Sequence, residues 1–191
     1  MINRLKKYAL KMIGVGALLG FGLSVGPASA AEKVTLKYGI FSRSIPVEAL
    51  TGYAKTQQAT GGLESLLRSV SDDDRSALLK LLNARFPFGV LQVDQILKSP
   101  VGATFLKDVA GATQLPGRDE EAEVKALRSA ALVTAATDKS LSFSGMLERY
   151  PTENLTINLP ALLKTLKGSQ ALGQLVQGGL QNVAPPPTNL P

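Results

Sequence analysis

The sequence predicts a mainly α, compact multi-helix domain with a short N-terminal β-hairpin, which a third short strand near 154–159 could join. Three observations carry that expectation. Apolar residues recur at helical spacing through most of 47–180. Serine, proline and acidic residues stand where helices would begin. Alternation of apolar and polar residues is confined to 34–45 and 154–159.

Residues 1–30 have a different character from the rest. Arg4, Lys6, Lys7 and Lys11 precede an uncharged run of fourteen residues, Met12 to Val25, and Ala28-Ser29-Ala30 supplies small residues at the cleavage spacing of an export signal. The expectation is a cleavable signal peptide over 1–30, cut after Ala30. A permanent anchor would need about twenty apolar residues, and the four glycines from Gly14 to Gly22 disfavour a lasting helix. A lipid anchor on an N-terminal cysteine is excluded, because the chain has no cysteine. The expected location is therefore outside the cytoplasm, in a periplasm, a thylakoid lumen or the medium.

Removal of the four leader cations leaves seventeen basic against fifteen acidic residues, so the formal charge of +6 falls to +2. The remaining cations are scattered singly, as at Lys55, Arg68, Lys80 and Lys98, and there is no tryptophan. A nucleic-acid surface needs clustered cations to displace counterions from phosphates, so none is expected. Residues 31–180 are of a size to make one domain with its own core. The Pro-rich end, 181–191, reads as a disordered tail.

The elements follow in order. Val34, Leu36 and Tyr38 alternate with Thr35 and Lys37, a turn falls near Gly39, and Phe41 to Ile45 return as the second strand. Pro46 is placed in the first turn of a helix running to Lys55, where its missing N–H costs nothing. Leu63, Leu66, Leu67 and Val70 mark a second helix. Ser71 is expected to cap a third, with Asp72 to Asp74 on its positive end and Leu78, Leu79, Leu82 and Phe86 as its stripe. Consecutive aspartates splay apart on a helix and lack the alternating spacing of a calcium loop, so no metal is expected there.

Two shorter helices are expected at Val90–Lys98 and Pro100–Ala110. A turn at Pro116-Gly117 leads into an acidic first turn, Asp119 to Glu123, whose charges are all assigned to the helix start. The alanines from Ala126 to Ala136 then predict the central, most buried helix. A short helix from Phe143 to Arg149 follows, then the strand "NLTINL", then a helix opened by Pro160 with Leu162, Leu163 and Leu166 in the core. An amphipathic piece carries Leu172, Leu175, Val176 and Leu180.

With neither His nor Cys in the chain, the Ser-His-Asp triad, the Cys-His dyad and the usual zinc sites are absent. There is no nucleophile elbow, phosphate loop or dinucleotide fingerprint either. No catalytic, cofactor or metal residue is assigned. In "YGIFSRSIP", an arginine beside hydroxyls could bind an anion or equally cap the next helix, which makes Tyr38 and Arg43 the candidate ligand contacts.

Four ordered blocks, "EKVTLKYGIFSRSIPVEALTGYAKT", "RFPFGVLQVDQILKSPVGATFL", "VKALRSAALVTAA" and "LERYPTENLTINL", resemble a domain of unknown function found in exported cyanobacterial proteins. The resemblance covers residues 32–167. In that family the domain often precedes a separate α/β-hydrolase domain, and the Ser, Asp and His of such a hydrolase have no matching positions in this chain. The resemblance therefore implies an exported, non-catalytic binding or interaction domain, with an accessory or lid-like role beside a separately encoded hydrolase as the alternative. The expected partners are an exported hydrolase or an apolar ligand, with no cofactor and no permanent membrane span after cleavage.

Overall fold

A computed structural model describes residues 31–114 and 119–169. The leader 1–30, the turn at Pro116-Gly117, the segment from Leu172 to Leu180 and the tail 181–191 lie outside the described residues.

The hairpin forms as its alternation requires. β1 (Lys33–Tyr38) and β2 (Phe41–Pro46) pair antiparallel with Val34 opposite Ile45, and Gly39 supplies the positive φ of 58° that opens the two-residue turn. The third strand, β6 (Asn154–Asn158), joins as expected and runs parallel to β1, with Val34 opposite Leu155 and Leu36 opposite Ile157. These four residues are buried on one face. The other face is polar, and there the hydroxyls of Thr35 and Ser44 lie 3.1 Å apart. A slip of one residue would exchange the two faces, so burial fixes the register. β4 (Thr113–Gln114) completes the sheet antiparallel to β6, giving the order β2-β1-β6-β4.

The rest of the chain between β1 and β6 is mainly helix. α1 (Val47–Thr56), α2 (Gly61–Leu67) and α3 (Asp72–Asn83) are followed by α4 (Val90–Lys98), α5 (Pro100–Ala112), α6 (Glu120–Asp138) and α7 (Phe143–Glu148), and α8 (Leu159–Gly168) follows β6. The cap expected at Ser71 is made, and Ser99 and Asp119 cap two further helices. Ser71 Oγ accepts the Asp74 N–H at 3.2 Å, Ser99 Oγ accepts the Gly102 N–H at 3.0 Å ahead of Pro100, and Asp119 Oδ1 accepts the Ala122 N–H at 2.8 Å.

Three details differ from the sequence reading. Pro46 ends β2 rather than lying inside α1. Phe86 leaves the α3 stripe and pairs, in β3 (Arg85–Phe86), with β5 (Leu141–Ser142), because a residue before proline is driven out of the helical region and Pro87 follows. Finally, α6 buries one face through Ala126, Ala130, Ala131 and Ala135 but leaves Val133 exposed, so it flanks the core rather than running through its centre.

Beneath the sheet, Leu36, Leu50, Leu78, Leu82, Ile157 and Leu162 close to a residual void of about 10 Å³, the close packing expected of a protein interior. Among the described residues, no helix is long and apolar enough to cross a membrane.

Candidate functional site

Beside that tight core the same elements fail to close. α3, α5, α7 and α8 surround a cavity of about 710 Å³ against the inner face of the sheet. Leu127, Tyr150, Leu155 and Ile157 are its buried floor, and Phe105, Met146 and Leu163 stand in its walls. The cause lies in the two faces of α3. Leu78 and Leu82 point into the packed core, whereas Ala77, Leu81 and Ala84 face the cavity, and two alanines leave open what larger side chains would fill. Interiors rarely keep voids much larger than water, while ligand pockets span roughly 300–1,000 Å³ and are mostly apolar. The polar residues at the mouth, Asp73, Ser76 and Lys80 on α3 and Lys167 on α8, are all exposed.

Behind the floor lies a buried carboxylate. Glu123, on the first turn of α6, is 3 % exposed. Its Oε1 accepts the hydroxyls of Thr113 and Tyr150, each at 2.6 Å, and its Oε2 is buried with no hydrogen-bond partner. Thr113 Oγ1 also lies 3.3 Å from the Val109 carbonyl and 3.4 Å from that of Ala110. Such short O–H···O distances are those of charge-assisted bonds, and they offset part of the cost of burying the group. The bonds tie the end of α5, the start of α6 and the residues after α7 into one floor. This corrects the assignment of Glu123 to the helix-start charges. It does lie in the first turn, but it precedes Ala126, Leu127 and Ala130 by three, four and seven residues, which is the spacing of the buried face. That spacing was the signal available in the sequence.

Tyr38 and Arg43 lie elsewhere. The Tyr38 hydroxyl donates to Asp74 Oδ2 at 3.1 Å and accepts the Ser71 N–H at 3.4 Å, tying the hairpin to α3. Arg43 is exposed and donates from its guanidinium to the Ser42 carbonyl at 3.0 Å. It sits opposite Leu36 in the hairpin, whereas Tyr38 sits opposite Phe41, and neither lines the cavity.

The three aspartates part company as their splay requires. Asp72 pairs with Arg75 at 3.5 Å, Asp73 stands at the cavity mouth, and Asp74 also receives Lys167 Nζ at 3.3 Å. Burial pushes the Asp74 carboxyl up, but hydrogen bonds from Tyr38 and Lys167, the Lys167 charge and Ser71 outweigh it and hold the carboxyl below its ordinary value. Among the described residues, no three acidic side chains are grouped to hold a metal ion.

Besides Ser76 at the mouth, Ser142 lines the cavity, on the strand side of a strand-to-helix turn. Its Oγ accepts the Gly145 N–H at 3.2 Å as the cap of α7, a structural use of the hydroxyl.

Residues 30–158 match a family described as "Alpha/beta hydrolase of unknown function (DUF1400)". The matched span runs from β1 through β6, and its one parallel strand pair among the described residues is β1 with β6. No curated protein and no solved structure matches the chain.

Proposed function

We propose that this chain, which belongs to the family described as "Alpha/beta hydrolase of unknown function", is an exported, non-catalytic module that binds an apolar ligand in the cavity between α3, α5, α7 and α8. The observation that carries the proposal is an apolar space of about 710 Å³ left open beside a core packed to about 10 Å³. The leader's charge and apolar pattern support export. The lack of any imidazole or thiol supports binding over turnover, since acyl transfer needs a positioned base as well as a nucleophile.

The test is saturable uptake of the neutral probe N-phenyl-1-naphthylamine, read by its fluorescence. Met146→Trp should narrow the cavity and weaken uptake while the chain stays folded, and the new indole, the only one in the chain, reports its own burial. Absence of saturable uptake by the wild-type chain, or undiminished uptake by a folded variant whose indole is buried, would overturn the proposal. A serine-directed fluorophosphonate probe runs alongside, and stoichiometric labelling of Ser142 would replace binding with hydrolysis.

A second reading keeps the hydrolase association in the family's description and makes the domain an accessory or lid-like subunit of a separately encoded α/β-hydrolase. Recovery of such a hydrolase on the tagged chain, in place of probe uptake, would favour it.

A further inference from the structure

We infer that the ligand is a single-chain amphiphile with an anionic head, seated with the head on Lys80 at the cavity mouth and the tail on the floor at Leu127 and Ile157. The inference rests on the binding reading above and adds the ligand's charge and direction.

The polarity of the cavity runs one way. The residues exposed at its rim are polar. At the floor, Thr113 and Tyr150 are buried, and their hydroxyls are engaged by Glu123. Thr113 has a single O–H proton, which goes to that carboxylate or to the α5 carbonyls beside it. The floor therefore meets a ligand mainly with methyl groups, a ring face and the side chains of Leu127, Leu155 and Ile157. An alkyl tail satisfies that surface, whereas a buried polar head would lack partners.

At the mouth the charges are not equivalent. Lys167 is paired with Asp74. Among the described residues, Lys80 Nζ has no ion pair or hydrogen bond, although it lines the opening. Asp73, the carboxylate that also lines the mouth, is seven residues away on α3, about 10 Å along the helix axis. The α3 rim thus carries an unpaired cation at one end and an acidic group at the other, and the distance between them lets an anionic head reach Lys80 without lying on Asp73.

Displacement of N-phenyl-1-naphthylamine tests this, with palmitate, hexadecyl phosphate, hexadecanol and hexadecyltrimethylammonium compared below their aggregation concentrations at low salt. The two anions should displace the probe at about two- to fivefold lower concentration than hexadecanol, the scale of one exposed charge pair. That preference should shrink as salt is added. Lys80→Glu should reverse it, placing both anions behind hexadecanol, while leaving the melting temperature unchanged, because Lys80 is exposed. A phosphate or carboxylate that binds better than the other identifies which head the mouth takes. Equal midpoints for palmitate and hexadecanol, a preference that survives Lys80→Glu, or tightest binding of the ammonium would overturn the inference and leave the cavity reading standing. Failure of hexadecanol itself to displace the probe would bring down the cavity reading as well.

Discussion

Removing the Tyr150 hydroxyl should destabilise the domain, and removing Glu123 and its other donor, the Thr113 hydroxyl, as well should restore most of the loss. Tyr150→Phe deletes one of the two donors 2.6 Å from Glu123 Oε1, in a site where the other carboxylate oxygen has no partner. A hydrogen bond to a charged group contributes about 1.5–3 kcal/mol, which for a chain of this size corresponds to a melting shift of about 4–10 °C. Thr113→Val should cost less than Tyr150→Phe, because the Val109 and Ala110 carbonyls share the Thr113 hydroxyl. The double variant strips the carboxylate of both donors and should lose about 3–5 kcal/mol, the scale of an uncompensated buried charge. The triple variant Thr113→Val, Glu123→Met, Tyr150→Phe removes the buried carboxylate together with both hydroxyls that bond it and should return to within about 1 kcal/mol of wild type. Urea unfolding followed by far-ultraviolet circular dichroism measures all four. A triple variant as unstable as the double, or a Tyr150→Phe loss under about 0.5 kcal/mol, would show that the bonds to Glu123 do not hold the floor together.

Gly102 packs so closely on the preceding helix that an added Cβ would overlap the Ile96 carbonyl, so Gly102→Ala should cost about 3 kcal/mol in urea unfolding. Gly111→Ala on the same helix meets nothing and should stabilise by up to about 1 kcal/mol; equal effects would refute the packing account. The Asp74 carboxyl is held below its ordinary value by Tyr38, Lys167 and Ser71 despite its burial, so its contribution should be present above the unfolded value near 3.9 and vanish as pH falls through the folded value. The stability gap between wild type and Asp74→Asn should accordingly be flat from about pH 7 to 5 and close below about pH 4; a gap that widens in acid contradicts it. N-terminal sequencing of the exported chain should begin at Ala31, whereas intact Met1 in a membrane fraction would argue for an anchor.

Much of the fold could be read from the sequence because its signals are local. Val34, Leu36 and Tyr38 alternate over a strand long enough to show the period, and Leu155 and Ile157 repeat it in β6. Ser71, Ser99-Pro100 and Asp119 each announce a helix within one turn. The two-residue strands β3, β4 and β5 were not legible, since two residues cannot display a period and their partners lie far along the chain. Glu123 was hidden for another reason. A carboxylate in a first helical turn is stabilised by the dipole wherever it points, and only its spacing from Ala126, Leu127 and Ala130 places it inward. The cavity had no signal of its own. Ala77 and Ala84 read as ordinary helix formers, and the space beside them exists only once α5, α7 and α8 stand around α3. Tyr38 drew notice as a polar ring in a hairpin, and its hydroxyl turns out to tie β1 to Asp74 and Ser71.

A crystal structure of the chain grown with 12-bromododecanoate tests ligand binding in the cavity most directly, because bromine at the tail end can be located by its anomalous scattering. The account predicts a single bromine peak inside the cavity, against Leu127, Tyr150 and Ile157, with the carboxylate near Lys80. A peak on the outer surface, or an empty cavity at saturating ligand, would contradict it.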